Sequence, residues 1–198
     1  MSLKTSYRFI APFYDLFLGR TTTAQRQRSL TRLPQQRAQV LLSGVGTGLD
    51  FPFLHSRHAY TALDLTAAML ARSRNRAQQL DMSWVQGDSM NLPFADNSFD
   101  CVVLHLILAV VPQPERCLAE ADRVLKPGGS ILVFDKFLYR GQRAILRRSL
   151  SFITAQIATR MDVVFEDVLA HTPSLKVISD EPALAGGWFR LIELEKPN

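Results

Sequence analysis

From residue 38 onward, short apolar runs alternate with stretches whose apolar positions recur at helical spacing. Residues 38–42 form a short run that leads at once into Ser43-Gly44-Val45-Gly46-Thr47-Gly48. Residues 60–63 read as a second strand ending in Asp64, and residues 66–79 as a helix with Met69 and Leu70 inward and Arg72, Arg74 and Arg76 in solvent. Residues 83–85 give a third strand, followed by Gly87-Asp88-Ser89-Met90. The run 101–106 is apolar throughout except for His105, the pattern of a central strand covered on both faces. Residues 114–125 are helical with Pro114 in the first turn. Lys126-Pro127-Gly128-Gly129 predicts a turn, and residues 131–134 a fifth strand ending in Asp135. Such a succession predicts an α/β fold: a parallel, doubly wound sheet with helices on both faces.

The remaining segments are less regular. Residues 138–157 predict a helix with Arg140, Arg143, Arg147 and Arg148 among apolar positions. Residues 175–179 and 188–194 read as strands, and Gly186-Gly187 supplies the turn of an antiparallel pair. Tyr7, Ile10, Tyr14 and Phe17 fall at helical spacing, with Pro12 placing the start of that helix. The expected division is an N-terminal helical segment over residues 1–37, capping the site of the main α/β domain over residues 38–198.

Composition narrows the classes. With 198 residues, 47% of them hydrophobic, the chain can bury a full core, which excludes a disordered protein. No run approaches the ~18 apolar residues of a membrane-crossing helix, and no leader pattern follows Lys4 and Arg8. A cytoplasmic location is therefore expected. Cys101 and Cys117 sit inside a predicted strand and helix and read as core packers, and no Cys/His spacing suggests a metal site. Charge is unevenly placed. Residues 1–37 carry seven basic and one acidic residue and residues 136–160 six basic and none acidic, whereas the blocks 38–135 and 161–198 are net acidic. Two basic segments suit either solvated helix faces or an anionic partner. No base-reading motif accompanies them, so nucleic acid is not the expected partner.

The chemistry concentrates in the loop after the first strand. Glycines at 44, 46 and 48 permit a tight turn and a close approach of ligand to backbone. A dinucleotide fingerprint would need glycine at 49 or 51, where Leu49 and Phe51 stand, and no Lys-Ser/Thr pair follows to cradle a nucleotide triphosphate. Asp64, twenty residues after Gly44, stands where doubly wound folds place a carboxylate for ribose hydroxyls. Asp88 after the third strand could receive an adenine amino group or cap a helix.

Gly44-Val45-Gly46-Thr47-Gly48, Asp64-Leu65-Thr66, Gly87-Asp88, Leu92-Pro93-Phe94, Ser98-Phe99-Asp100 and Leu125-Lys126-Pro127-Gly128-Gly129 together resemble a class I S-adenosylmethionine-dependent methyltransferase over residues 38–136. Within that superfamily, Val45, Val110-Val111-Pro112-Gln113-Pro114-Glu115 and Gly187-Trp188-Phe189-Arg190-Leu191 resemble bacterial phosphatidylethanolamine N-methyltransferases, and the chain is also similar to the ubiquinone/menaquinone C-methyltransferase group. The resemblance implies a Rossmann-like sheet of seven strands, mostly parallel with the last antiparallel, and a cofactor over the strands' carboxyl ends. It implies S-adenosylmethionine as cofactor, S-adenosylhomocysteine as product, and a cofactor site of Gly44, Val45, Gly46, Thr47, Gly48, Asp64, Leu65, Met69, Asp88, Ser89, Met90 and His105. One position departs: Leu42 stands where the family usually has an acidic residue.

Because a sulfonium methyl is already activated, in-line positioning matters more than a catalytic triad. His105, Tyr14 and Lys136 are the candidate substrate-facing side chains: His105 to orient the acceptor or take its proton, Lys136 to meet a phosphate. Tyr14 and Trp188 are candidate walls for a cationic group. The expected acceptor is a small molecule or lipid, favoured as a phosphatidylethanolamine-type amine reached at an anionic membrane surface. The alternatives are a quinol C-methyltransferase and a cofactor-binding protein with little catalysis. Nothing in the sequence predicts an oligomeric state.

Overall fold

The structure is a computed structural model that describes residues 21–77, 79–138 and 162–198. Helix α1 spans residues 21–30. Then come β1 (Gln39–Ser43), β2 (Ala59–Asp64), α2 (Ala67–Arg74), β3 (Asp81–Gln86), β4 (Phe99–His105), α3 (Pro114–Val124), β5 (Leu125–Lys136), α4 (Phe165–Leu169), β6 (Lys176–Leu184) and β7 (Phe189–Glu195). The seven strands form one sheet in the order β3-β2-β1-β4-β5-β7-β6. β1 to β5 run parallel, and β7 lies antiparallel between β5 and β6. This is the Rossmann-like methyltransferase arrangement expected above.

The alternation of side chains along the central strands divides the core in two. Leu41, Val102, Leu104, Ile131 and Val133 face α3 and α4, meeting Leu118, Ala121 and Phe165. Val40, Leu42, Cys101, Val103 and Leu132 face the other way, onto Leu30, Leu33, Phe51 and Leu70. Residues on both sides of the expected boundary at 37 thus share one core. α3 buries Pro114, Cys117, Leu118, Ala121 and Val124, a stripe of helical period, and each fully buried leucine contributes about 1.5–3 kcal/mol. Both cysteines are buried and unpaired.

Two expectations need correction. Lys126-Pro127-Gly128-Gly129 is not a turn separating helix from strand but part of β5. Leu125 pairs with Phe99 and Ser130 with Cys101, so the four residues bulge within the ladder. The C-terminal chain supplies their partners: Gly128 N–H donates to Lys196 C=O, and Lys196 N–H to Gly129 C=O. The helix expected over 66–79 is the shorter α2, capped by the Thr66 side chain. Beyond it, Arg76 is exposed as expected, and its guanidinium also donates to both the carbonyl and the hydroxyl of Thr47, at 2.9 Å each. The helix expected over 138–157 and the aromatic positions from Tyr7 to Phe17 lie outside the described residues, apart from Leu138.

Candidate functional site

Three chain segments meet where β1, β2 and β4 end. After β1 the chain turns through Gly44, Gly46 and Gly48, all in the left-handed region, with φ of 73°, 55° and 80°. Gly44 and Val45 both donate their N–H to Leu63 C=O, so the loop is fastened to the neighbouring strand. A Cβ on Gly44 would sit 2.6 Å from Ile107 Cδ1, whereas one on Gly46 would meet nothing within 4 Å among the described residues. The loop is therefore packed on one side and open at Gly46, where a ligand can approach the backbone.

Asp64 closes the second side. Its Oδ2 accepts the Gly46 N–H at 2.9 Å, and its Oδ1 accepts the N–H of Thr66 at 2.9 Å and its hydroxyl at 3.2 Å. Burial raises the Asp64 carboxyl above its ordinary value, with the two backbone N–H groups working against that shift. Leu65 beside it is 48% exposed, an apolar surface at the rim of the loop. Met69 is buried in the first turn of α2, with its N–H engaged by the Thr66 cap. Asp88 Oδ1 accepts the Met90 N–H at 2.9 Å. Its other oxygen makes no hydrogen bond among the described residues. Ser89 lies beneath the loop, its hydroxyl 2.9 Å from that of Ser43. Met90 is half-buried against the core beneath.

The third side is β4. His105 is 5% exposed, and both its ring nitrogens are engaged. Nδ1 lies 2.8 Å from Asp50 Oδ1 and Nε2 lies 2.9 Å from Ser29 Oγ. Arg26 Nη1 donates to the same Asp50 oxygen at 2.9 Å, and Arg26 Nε to Thr22 Oγ1 at 3.0 Å. Burial pushes the Asp50 carboxyl up, but the charges and hydrogen bonds of Arg26 and His105 outweigh it and hold it well below the carboxylate range. Ionised Asp50 can only accept, so Nδ1 carries a proton toward it, while Nε2 shares a hydrogen bond with the Ser29 hydroxyl. His105 is thus neither a backbone-bonded core histidine nor an open base.

The β5 end holds Asp135, wholly buried, whose oxygens accept the N–H groups of Ala109 (3.0 Å) and Lys136 (2.8 Å). Burial pushes its carboxyl up to about 6. It anchors the loop after β4, in which Leu106 takes φ of 57° and donates its N–H to Phe134 C=O at 2.7 Å. Lys136 is lowered by burial, against the pull of Asp135, and its ammonium lies 6.0 Å from the Trp188 ring centroid. Tyr14 lies outside the described residues.

The residues that the sequence reading missed are Asp50, Arg26 and Ser29. One signal was present: Thr22, Arg26 and Ser29 share a helical face with the buried Leu30. Asp50 had none, because it looks like an N-cap. It makes no side-chain cap bond to the 3-10 turn Phe51–Phe53 and turns instead to Arg26 and His105.

The ends of β1, β2 and β4 thus offer an open glycine loop, a carboxylate fixed by that loop, an exposed leucine and a half-engaged second carboxylate. These fit an adenosyl group carrying an apolar base, ribose hydroxyls and an exocyclic amine. Comparison with known proteins agrees. The family described as "Methyltransferase domain" matches residues 41–133. The phosphatidylethanolamine N-methyltransferase of Cereibacter sphaeroides is 31% identical over 188 residues, 92% of each chain. The ubiquinone/menaquinone biosynthesis C-methyltransferase of Roseobacter denitrificans is 42% identical over 110 residues, covering 52% of this chain and only 44% of that protein. A solved S-adenosylmethionine-dependent methyltransferase from Thermotoga maritima superposes with a TM-score of 0.71 at 19% identity, covering 97% of this chain and 99% of that one, which speaks to the fold alone. The chain belongs to the class I S-adenosylmethionine-dependent methyltransferases.

Proposed function

We propose that the enzyme transfers methyl groups to the amine of an amphiphilic, phosphatidylethanolamine-type acceptor. The observation that carries this reading is the extent of the N-methyltransferase match, 92% of both chains, against 44% of the Roseobacter denitrificans quinone-pathway enzyme and 70% of a demethylmenaquinone methyltransferase from Renibacterium salmoninarum. In this reading the Gly44, Val45, Gly46, Thr47 and Gly48 loop holds the methionine portion of the cofactor. Asp64 takes the ribose hydroxyls, Leu65 and Met69 flank the adenine, and Asp88, Ser89 and Met90 receive its amino edge. His105 stands by the methionine end. The cofactor supplies an electrophilic methyl on sulfur, and the chain's task is to hold a nucleophile in line with it. An amine needs a free lone pair and no further activation. His105, with both nitrogens engaged, acts here by holding shape. Lys136 is read as the group that meets the headgroup phosphate, a reading supported by its ammonium lying 6.0 Å from the Trp188 ring centroid.

The basic segments 1–37 and 136–160 support reversible attachment to an anionic bilayer, each basic residue near the surface contributing roughly 1 kcal/mol. Among the described residues no helix is long and apolar enough to cross a membrane. A second reading, C-methylation of a quinol, is favoured by the higher local identity of 42%. Labelled S-adenosylmethionine, incubated with the enzyme and anionic vesicles containing phosphatidylethanolamine, is expected to give labelled mono-, di- or trimethylated headgroup and salt-sensitive sedimentation. Label in a demethylated quinol and none in phospholipid would overturn the lipid reading.

A further inference from the structure

We propose that Ser29, Arg26 and Asp50 are positioning residues for the cofactor site, fastening α1 to the glycine loop and to β4 through the His105 imidazole. Ser29, His105 and Asp50, at 2.9 and 2.8 Å, stand in the order of a hydrolase triad. Two features remove it from that chemistry. Ser29 is only 3% exposed, so no substrate reaches its hydroxyl, and Arg26 holds the carboxylate oxygen that faces the imidazole.

What remains is a joint between three segments. Asp50 lies two residues beyond Gly48, His105 is the last residue of β4, and Arg26 and Ser29 lie on one face of α1. The same two loops touch again where Ile107 packs on Gly44. The glycine loop is thus pinned to the β4 loop at both of its ends, apolar at Gly44 and polar at Asp50, and only the polar pin includes α1. A ligand that orders the glycine loop must therefore also order α1, and loosening α1 must weaken that ligand.

This rests on the reading that the Gly44–Gly48 loop holds the cofactor, and not on the choice of acceptor. The test uses S-adenosylhomocysteine as probe, with calorimetry and hydrogen exchange on the whole chain well below its melting temperature. In the parent protein the probe is expected to slow amide exchange across residues 21–30. Ser29→Ala, which leaves the Asp50–Arg26 pair intact, should bind the probe about three- to tenfold more weakly and lose that slowing. Ser29→Thr, which keeps the hydroxyl, should restore both. Asp50→Asn should weaken binding by about tenfold or more. If Asp50→Asn fails to fold, the serine pair decides. A folded Ser29→Ala with parental affinity and undiminished slowing in α1 would overturn the proposal. If the parent does not bind the probe at all, the cofactor-site reading fails instead.

Discussion

Each end of the parallel sheet carries a buried histidine, and the two are used in opposite ways. At the amino end, His58 Nδ1 accepts the Ala38 N–H at 3.2 Å, and its ring meets Tyr60 edge-on at 5.8 Å. Nearby, Asp100 accepts the Gln39 N–H at 2.7 Å and an ammonium hydrogen of Lys126 at 2.6 Å. There the side chains bond to backbone and secure the start of β1. At the carboxyl end, the His105 ring bonds to side chains among the described residues, and the carboxylates of Asp64 and Asp135 hold loops. Similar residue types therefore secure a strand at one end and shape a concave surface at the other. A parallel sheet makes this possible, because all its central strands bring their loops to the same edge.

The sharpest way to break the contrast is to place a carboxylate one layer below the loops. Leu42 is 2% exposed, paired with Ala62 and Val103 inside the sheet. Leu42→Glu should lose roughly 3–5 kcal/mol of stability, the scale of a buried charge without a partner. A melting curve beside a cofactor isotherm checks this; tighter binding at an unchanged melting temperature would show that the acidic residue usual in the family still has a place here. Next in size, Asp64→Ala should weaken S-adenosylmethionine and S-adenosylhomocysteine by about 2–4 kcal/mol. Unchanged calorimetric affinity would remove Asp64 from the site. The smallest effect belongs to the amino end. Burial, with Arg57 and His55 nearby, lowers His58 below its ordinary 6.5. Its neutral form is the one that accepts from Ala38. The unfolded chain then takes up a proton before the folded one does, so this stability is complete above about pH 6.5 and falls as the pH drops through that value. His58→Asn should flatten the difference in urea midpoint between about pH 7.5 and about pH 5.5. An equal pH dependence in both proteins would assign the effect elsewhere.

The strands were legible because they are buried on both faces, so apolar runs such as Cys101 to Leu104 stand out against helical spacing. The glycine loop was legible for a different reason: left-handed backbone at 44, 46 and 48 restricts those positions to few residue types, and the Asp64 carboxylate fastens that loop at Gly46. What the sequence hid are contacts between distant segments. Asp50 and His105 are 55 positions apart, and Ser29 and His105 are 76 apart. Neither spacing belongs to any local period. The bulge at Lys126 to Gly129 was hidden likewise, since the partner that draws it into the sheet is Lys196. Proline and glycine signalled a break correctly, but not that the C-terminal chain would bridge it.

The contact between Gly44 and Ile107 bears on how such a chain can change over time. A smaller side chain at 107 keeps an allowed backbone and loses only part of its apolar contact with Gly44 and the core. Position 44 is not free to grow in return, because its φ of 73° disfavours any residue with a Cβ even once the space is cleared. The two positions touch, yet substitution passes between them in one direction only. Conservative changes should therefore be tolerated better at 107 than any change at 44, an asymmetry imposed by one dihedral angle.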